Sequence, residues 1–165
     1  MKKVLNWLLD PPVTGQPAIV LLRAMAGGVF FWEGILKFVY ANQGVGRFTK
    51  LGFPFPHETA SFVATTEIIG GLLLLAGLFT RLTAAYFIVE MLVAILTTKI
   101  ALYLGTSPLP LPPALPKAGI WAVLHEIRSD YAQLLVCIFL LLEGAGSRSL
   151  DKLLKRKRHH HFSTN

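Results

Sequence analysis

The fold is decided by residues 60–104, which read ASFVATTEIIGGLLLLAGLFTRLTAAYFIVEMLVAILTTKIALYL. This stretch contains two long apolar runs, residues 60–79 and 82–104, separated only by Thr80, Arg81 and their neighbours. A bilayer core about 30 Å thick is spanned by roughly 20 apolar residues in a helix. The stretch therefore predicts two antiparallel transmembrane helices joined by a tight turn.

Two further apolar runs flank this pair, at about residues 18–40 and 130–146. The whole chain of 165 residues is 53% hydrophobic and only 15% charged, whereas a soluble domain carries about 25% charged residues. The sequence thus predicts an all-α membrane protein, a bundle of four transmembrane helices. We divide the chain into a cytoplasmic N-terminal segment at 1–17, the membrane domain at 18–147 and a basic cytoplasmic tail at 148–165.

Two loops connect the predicted helices. Residues 42–58 contain Gly52-Phe53-Pro54-Phe55-Pro56, whose prolines interrupt a helix and whose aromatic rings are typical of the membrane interface. Residues 106–129 begin with a Pro-rich stretch and form the one sizeable loop.

Lysine and arginine predict the orientation, because they accumulate in short cytoplasmic loops. Nine of them fall on the side of the two termini: Lys2, Lys3, Arg81, Arg148, Lys152, Lys155, Arg156, Lys157 and Arg158. The other side holds Arg47, Lys50 and Lys117, with Lys99 and Arg128 near its edge. We therefore expect both termini in the cytoplasm and a multi-pass protein of the inner (plasma) membrane.

The net charge of +7 is concentrated in the C-terminal tail. A basic cluster directly after a membrane helix is typical of contact with anionic headgroups, so lipid is the expected partner and nucleic acid is not. The residues of this predicted contact are Lys155, Arg156, Lys157 and Arg158.

Ionisable residues within the apolar runs are the candidates for a functional site, because a charge in hydrocarbon is costly and turns toward the protein interior. The candidates are Arg23, Glu33, Lys37, Glu67, Tyr86 and Glu90. Glu33 lies one turn before Lys37 and can pair with it. We expect Arg23, near the cytoplasmic side, and Lys37, near the outer side, to bracket the acids as counter-ions. Two roles remain open for this set: structural ion pairs that fix helix register, or a site that binds a ligand or protons.

Small residues and single polar residues have structural interpretations. Five glycines are expected to let helices pack closely: Gly27, Gly34, Gly70, Gly71 and Gly77. Cys137 is interpreted as an apolar filler, and Asp130 with Gln133 resembles a capping box at the start of the fourth helix.

Several cofactor classes are argued against. The sequence has no Gly-x-Gly-x-x-Gly or Gly-Lys-Ser/Thr motif for a nucleotide or flavin. His57 and His125 fall in loops rather than in mid-helix, which argues against haem. The run His159 to His161 is more typical of a solvated tail than of a metal site. We therefore predict no metal and no cofactor bound by a recognisable motif.

Several separate motifs resemble the DoxX-like family. They are Arg23 with Gly27, Gly34 and Lys37; Gly52-Phe53-Pro54 with Pro56; Glu67-Ile68-Ile69-Gly70-Gly71 and Gly77-Leu78-Phe79-Thr80-Arg81; and Gly144-Ala145-Gly146 with Ser149-Leu150-Asp151. The resemblance covers about residues 19–151. It implies a four-helix inner-membrane protein, and some relatives are subunits of thiosulfate:quinone oxidoreductases or partners in membrane redox complexes.

Three functions remain open at this point. The first is a small membrane subunit of a redox system that receives electrons from a protein partner and binds a quinone between Glu67 and either Arg23 or Lys37. If the protein is an enzyme, it is a subunit of a quinone-linked oxidoreductase rather than a stand-alone enzyme. The second is a non-catalytic scaffold or permease-like protein that binds a small molecule or protons at its buried acids. The third is a lipid-binding stabiliser anchored by the basic tail.

Overall fold

The computed structural model describes residues 4, 7–8, 15–111 and 116–155. These residues contain helices, turns and loops and no β-strand. In chain order the helices are α1 (Ile19–Val39), α2 (Val45–Lys50), α3 (Pro56–Ala76), α4 (Thr80–Leu104), α5 (Ile120–Glu126) and α6 (Arg128–Glu143). Residues 150–155 are also helical.

Helices α1, α3 and α4 are long and apolar enough to cross a membrane. Only 22% to 33% of the most apolar window in each of them is buried inside the protein, so most of their apolar surface faces outward, as in a protein that is surrounded by lipid. The predicted class, an all-helical protein that crosses the membrane several times, is therefore confirmed.

Helix α6 is shorter than these three. Its 16 residues extend about 24 Å at 1.5 Å per residue, less than the hydrocarbon core of about 30 Å. It follows α5 almost without interruption, because Ile127 keeps a right-handed helical conformation and its N–H donates to Val123 O at 2.8 Å. Residues 120–143 are thus one helical path with a break at Ile127.

The ends of the helices follow from local chemistry. Helix α3 begins at Pro56, four residues before the predicted start, because proline at a first helical position is pre-organised for a helix. It ends at Gly77, whose φ of +67° allows Leu78 N–H to donate to Leu73 O and Gly77 N–H to Leu74 O. This C-terminal motif turns the chain into α4 within three residues.

Helix pairing differs from the prediction. Helix α1 packs chiefly on α3, and α4 chiefly on α6, whereas α3 and α4 make few contacts although a tight turn joins them. The reason lies in two backbone crossings between α1 and α3. A β-carbon on Gly27 would lie 2.7 Å from Gly71 O, and one on Gly34 would lie 2.6 Å from Ala64 O. Helices that approach this closely leave no room for larger side chains.

The interior between the two helix pairs is filled by aromatic rings at mid-height. Phe30 of α1 and Phe87 of α4 stack with ring centroids 3.6 Å apart. Leu74, Cys137 and Leu140 complete this core and are fully buried. Cys137 is thus a buried apolar filler in the described structure.

Candidate functional site

A cavity of about 250 Å³ lies between the α1–α3 pair and the α4–α6 pair. Its walls come from α1, α2, α3, α4 and α6, so no single element defines it. Its lining mixes apolar side chains with ionisable ones: Glu33, Lys37, Arg47, Glu67, Glu90 and Asp130. Such a mixture of apolar wall and few convergent polar groups is typical of a small-molecule site.

An ion pair between α1 and α3 forms one wall of this cavity. Lys37 Nζ lies 2.6 Å from Glu67 Oε2 and 2.8 Å from Glu67 Oε1. The Glu67 side chain is 4% exposed and that of Lys37 is 13% exposed. Glu33, the partner expected from helical spacing, is 4.0 Å from Lys37 Nζ and 49% exposed. The closest partner of Lys37 is therefore the acid on the neighbouring helix.

Glu90 and Tyr86 extend the cluster onto α4. The carboxyl group of Glu90 neighbours the carboxyl group of Glu67 and the hydroxyl group of Tyr86. Its Oε2 atom is buried and has no hydrogen-bond partner in the described structure. The Tyr86 hydroxyl lies 2.6 Å from Thr66 Oγ1. Two carboxyl groups from different helices thus meet beside one lysine, an arrangement that can hold a proton or hydrogen-bond a ligand.

Arg47, Asp130 and Gln133 also line this cavity and were missed by the sequence analysis as site residues. The capping box predicted from Asp130 and Gln133 is not observed, because α6 begins at Arg128 without a side-chain cap. Asp130 instead pairs with Lys99 at 3.1 Å. Gln133 is 4% exposed, and its Oε1 has no hydrogen-bond partner. The sequence feature that could have identified Gln133 as a site residue is its position as a lone glutamine within the apolar run of α6.

Arg23 lies at the opposite end of the bundle from the acids. It is 2% exposed, and its Nη1 donates to Ala145 O at 3.2 Å. Fourteen residues of helix, about 21 Å, separate it from Lys37, so it does not line the cavity. Arg23 turns inward at the end of α1 opposite Lys37, as expected, but it bonds to Ala145 rather than acting as a counter-ion to the acids of the cavity. A β-carbon on Gly77 would collide with this guanidinium.

The segment after α6 folds back on the same end. Asp151 accepts hydrogen bonds from the N–H groups of Phe79 at 2.9 Å and Thr80 at 3.3 Å, which begin α4. Arg81 Nη2 donates to Leu142 O at 2.8 Å, and its guanidinium lies 4.2 Å from the centre of the Trp7 ring. The Gly-Ala-Gly to Ser-Leu-Asp motif thus has a structural use at this end.

The remaining predicted positions lie apart from the cavity. Gly70 faces Phe87 of α4, where a β-carbon would lie 2.6 Å from Cζ. His125 lies 3.2 Å from Arg128 Nη2. Among the described residues, no group of three or more His, Cys, Asp or Glu side chains is arranged to hold a metal ion. Of the basic cluster, Lys155 is described, while Arg156, Lys157, Arg158 and the three histidines lie outside the described residues.

Comparison with known proteins identifies relatives. The family model described as DoxX matches residues 18–100. A Mycobacterium tuberculosis protein named "Uncharacterized membrane protein Rv3486" is 39% identical over 145 residues, which cover 87% of this chain and 85% of that protein. A Bacillus subtilis protein named "Putative oxidoreductase CatD" is 30% identical over 133 residues, which cover 80% of this chain and 83% of that protein. No solved structure matches the chain.

Proposed function

This chain belongs to the DoxX family of membrane proteins, and from that premise we propose that it is a small membrane subunit of a redox system. In this proposal it binds a quinone, or a molecule of similar size and polarity, in the cavity beside Lys37 and Glu67. The name of the Bacillus subtilis relative, which includes the word oxidoreductase, supports a redox role. Because the sequence has no nucleotide or flavin motif, a protein partner would supply the electrons.

We further propose that α6 is a fourth span and that both termini face the cytoplasm of an inner-membrane protein. The contact between Gly15 O and Ser147 N–H, at 3.1 Å, supports this arrangement because it joins the start of α1 to the end of α6. Residues 120–127 add length to the short α6, which helps the path through residue 143 to cross. The excess of lysine and arginine on the side of the termini agrees with the positive-inside rule.

The observation that carries the ligand proposal is the Lys37–Glu67 pair on the wall of the cavity. A quinone presents two carbonyl oxygens that accept hydrogen bonds, which the lysine ammonium and the Arg47 guanidinium can donate. The cavity also reaches the lipid-facing surface at Val93, which is 43% exposed. A volume of about 250 Å³ suits a ring headgroup, while an isoprenoid tail would leave toward lipid at this point.

The test is quinone binding by the protein purified in mild detergent. We expect a quinone to co-purify, and we expect Glu67→Gln and Lys37→Gln to weaken its binding by about tenfold or more, since the second removes the ammonium donor and the first removes the carboxylate that holds this ammonium in place. Glu143→Gln is the matched control, because that carboxyl group is exposed at the end of α6. Unchanged quinone binding by both folded variants would rule out this site.

A second candidate function is favoured by the charges that line the cavity. Glu33, Glu67, Glu90 and Asp130 outnumber Lys37 and Arg47, and such an excess favours a cationic solute or protons over an electron carrier. In this alternative the protein is a non-catalytic, permease-like scaffold. Glu67→Gln would then change solute uptake or resistance and leave every quinone-dependent redox rate of the assembled complex unaltered.

A further inference from the structure

A second cavity, of about 270 Å³, adjoins the first on the side of α2. Its lining combines apolar residues and Glu126 with a larger set of polar and basic side chains, among them Asn42, Arg47, Lys50, Lys99 and Ser107. Gln43, Arg47 and Thr98 line both cavities. The two volumes therefore share these three residues as a common wall.

The shared wall leads from an exposed surface to the acid pair, which is formed by Glu67 and Glu90. Lys50 is exposed and Arg47 is half-buried, which places the second cavity at the surface of the bundle. Beyond it lie Thr98 and the Lys99–Asp130 ion pair, whose atoms are 3.1 Å apart. Glu67 and Glu90 follow on the wall of the first cavity. Hydroxyl, amide and charged groups, interspersed with apolar side chains, thus run from the surface to the acids and offer water the polar partners that it needs.

In the opposite direction the acids meet a packed apolar layer. Phe30 and Phe87 are stacked with centroids 3.6 Å apart and an interplanar angle of 4°. Leu74, Ala84 and Leu140 in the same layer are 0% exposed. Such close packing holds no water without polar partners. Beyond the layer, Arg23 and Ala145 are hydrogen-bonded at the end of the bundle that carries the termini.

From this asymmetry we infer that the two cavities form one water-accessible path, and that Glu67 and Glu90 exchange protons only with the side of the membrane that bears α2. A proton bound or released by these acids enters or leaves on that side. The charged and titratable groups that face the acid pair are Glu33 and Lys37 from α1, Arg47 from α2, Tyr86 from α4, and Asp130 and Cys137 from α6. The inference goes beyond the proposed function, because it concerns protons and holds with or without a bound quinone.

Cysteine labelling tests the path on one helix. Thr98 and Ala84 both belong to α4 and lie on either side of Glu90, the first on the shared wall and the second in the apolar layer. In a Cys137→Ser background, we expect a membrane-impermeant thiol reagent added on the α2 side to modify the Thr98→Cys variant at least tenfold faster than the Ala84→Cys variant. Equal rates, or modification of either variant from the side of the termini, would overturn the inference.

Carbodiimide labelling tests proton exchange on the unsubstituted protein, so it does not depend on how a variant folds. Dicyclohexylcarbodiimide crosses the bilayer and reacts with protonated carboxyl groups. In vesicles with a pH difference across the membrane, labelling of Glu67 and Glu90 should follow the pH on the α2 side, changing by up to about tenfold per unit.

Trypsin cleavage of the basic tail identifies the side of the termini in the same vesicles, and peptide mass spectrometry of the unsubstituted protein identifies the labelled carboxyl groups. Labelling that follows the pH on the side of the termini, or the pH on both sides, would contradict one-sided exchange. Loss of quinone binding with one-sided labelling retained would remove only the ligand proposal.

Discussion

Lys37 neighbours two carboxylates, at 2.6 Å from Glu67 Oε2 and 4.0 Å from Glu33 Oε2. Glu67 is almost fully buried, so the Lys37 ammonium stabilises its negative charge, whereas water stabilises the charge of the half-exposed Glu33. A buried pair contributes little net stability when intact, but removing one partner leaves an unpaired charge in an apolar environment. Removing one partner should therefore lower the stability of the protein more than removing both.

Lys37→Met should therefore lower the free energy of unfolding by about 3 kcal/mol, because Glu67 loses its cation. The double variant Lys37→Met/Glu67→Gln should recover part of that loss, since the uncompensated carboxylate is gone. Both values are measurable by SDS-induced unfolding in mixed micelles. Lys50→Met is the control, because Lys50 is exposed and the cation paired with Glu67 is Lys37. A single variant as stable as the unsubstituted protein would show that the pair does not form.

Sequence periodicity identified the inward face of each helix but not the partner of each side chain. Glu67 and Lys37 were placed inward by helical spacing, and they meet. Arg23 was placed inward near the opposite side of the membrane from Lys37, about 21 Å along α1, but it contacts Ala145 rather than an acid of the cavity. Arg47 and Gln133 reach the cavity through tertiary packing between helices distant in sequence, which no local pattern encodes.

At the scale of elements, the crossing of α1 and α3 gives a test between two adjacent glycines. A β-carbon on Gly27 would lie 2.7 Å from Gly71 O, whereas one on Gly28 meets nothing within 4 Å. Gly27→Ala should therefore force the helices apart and cost about 1–3 kcal/mol of unfolding free energy. Gly28→Ala should leave stability unchanged or slightly higher, because alanine favours the helix. Equal effects of the two substitutions in SDS unfolding would exclude the close crossing.

The start of α4 depends on a residue outside the helix pairs. Asp151 binds the N–H groups of Phe79 and Thr80, where α4 has no cap of its own. Asp151→Ala should thus cost about 1–2 kcal/mol, as loss of a helix cap does. Asp151→Asn should cost less, since the amide oxygen still accepts a hydrogen bond and only the favourable charge near the helix N-terminus is lost. Thermal unfolding in detergent of both variants, with exposed Arg148→Ala as control, checks this order.

At the scale of the whole molecule, the apolar runs predicted where helices form, because bilayer thickness fixes their length. They did not predict which helices pair. Chain proximity favoured α3 with α4, yet their main contacts are elsewhere because glycines at 27, 34 and 71 bring α1 against α3. Pairing is a property of matched surfaces on two helices. It therefore appears only when both surfaces are known in three dimensions.

The arrangement of the whole molecule in the membrane gives the last prediction, which separates four spans from three. If α6 crosses, the loop before α5 and the tail after α6 lie on opposite sides; if it does not, they share one side. The hydrogen bond between Ser147 and Gly15 joins the end of α6 to the start of α1, which supports the proposed crossing of α6. In a Cys137→Ser background, an impermeant thiol reagent should label the Ser107→Cys variant only in right-side-out vesicles and the Arg148→Cys variant only in everted ones. Labelling of both variants in vesicles of the same orientation would leave α6 on one side of the bilayer and exclude the four-span arrangement.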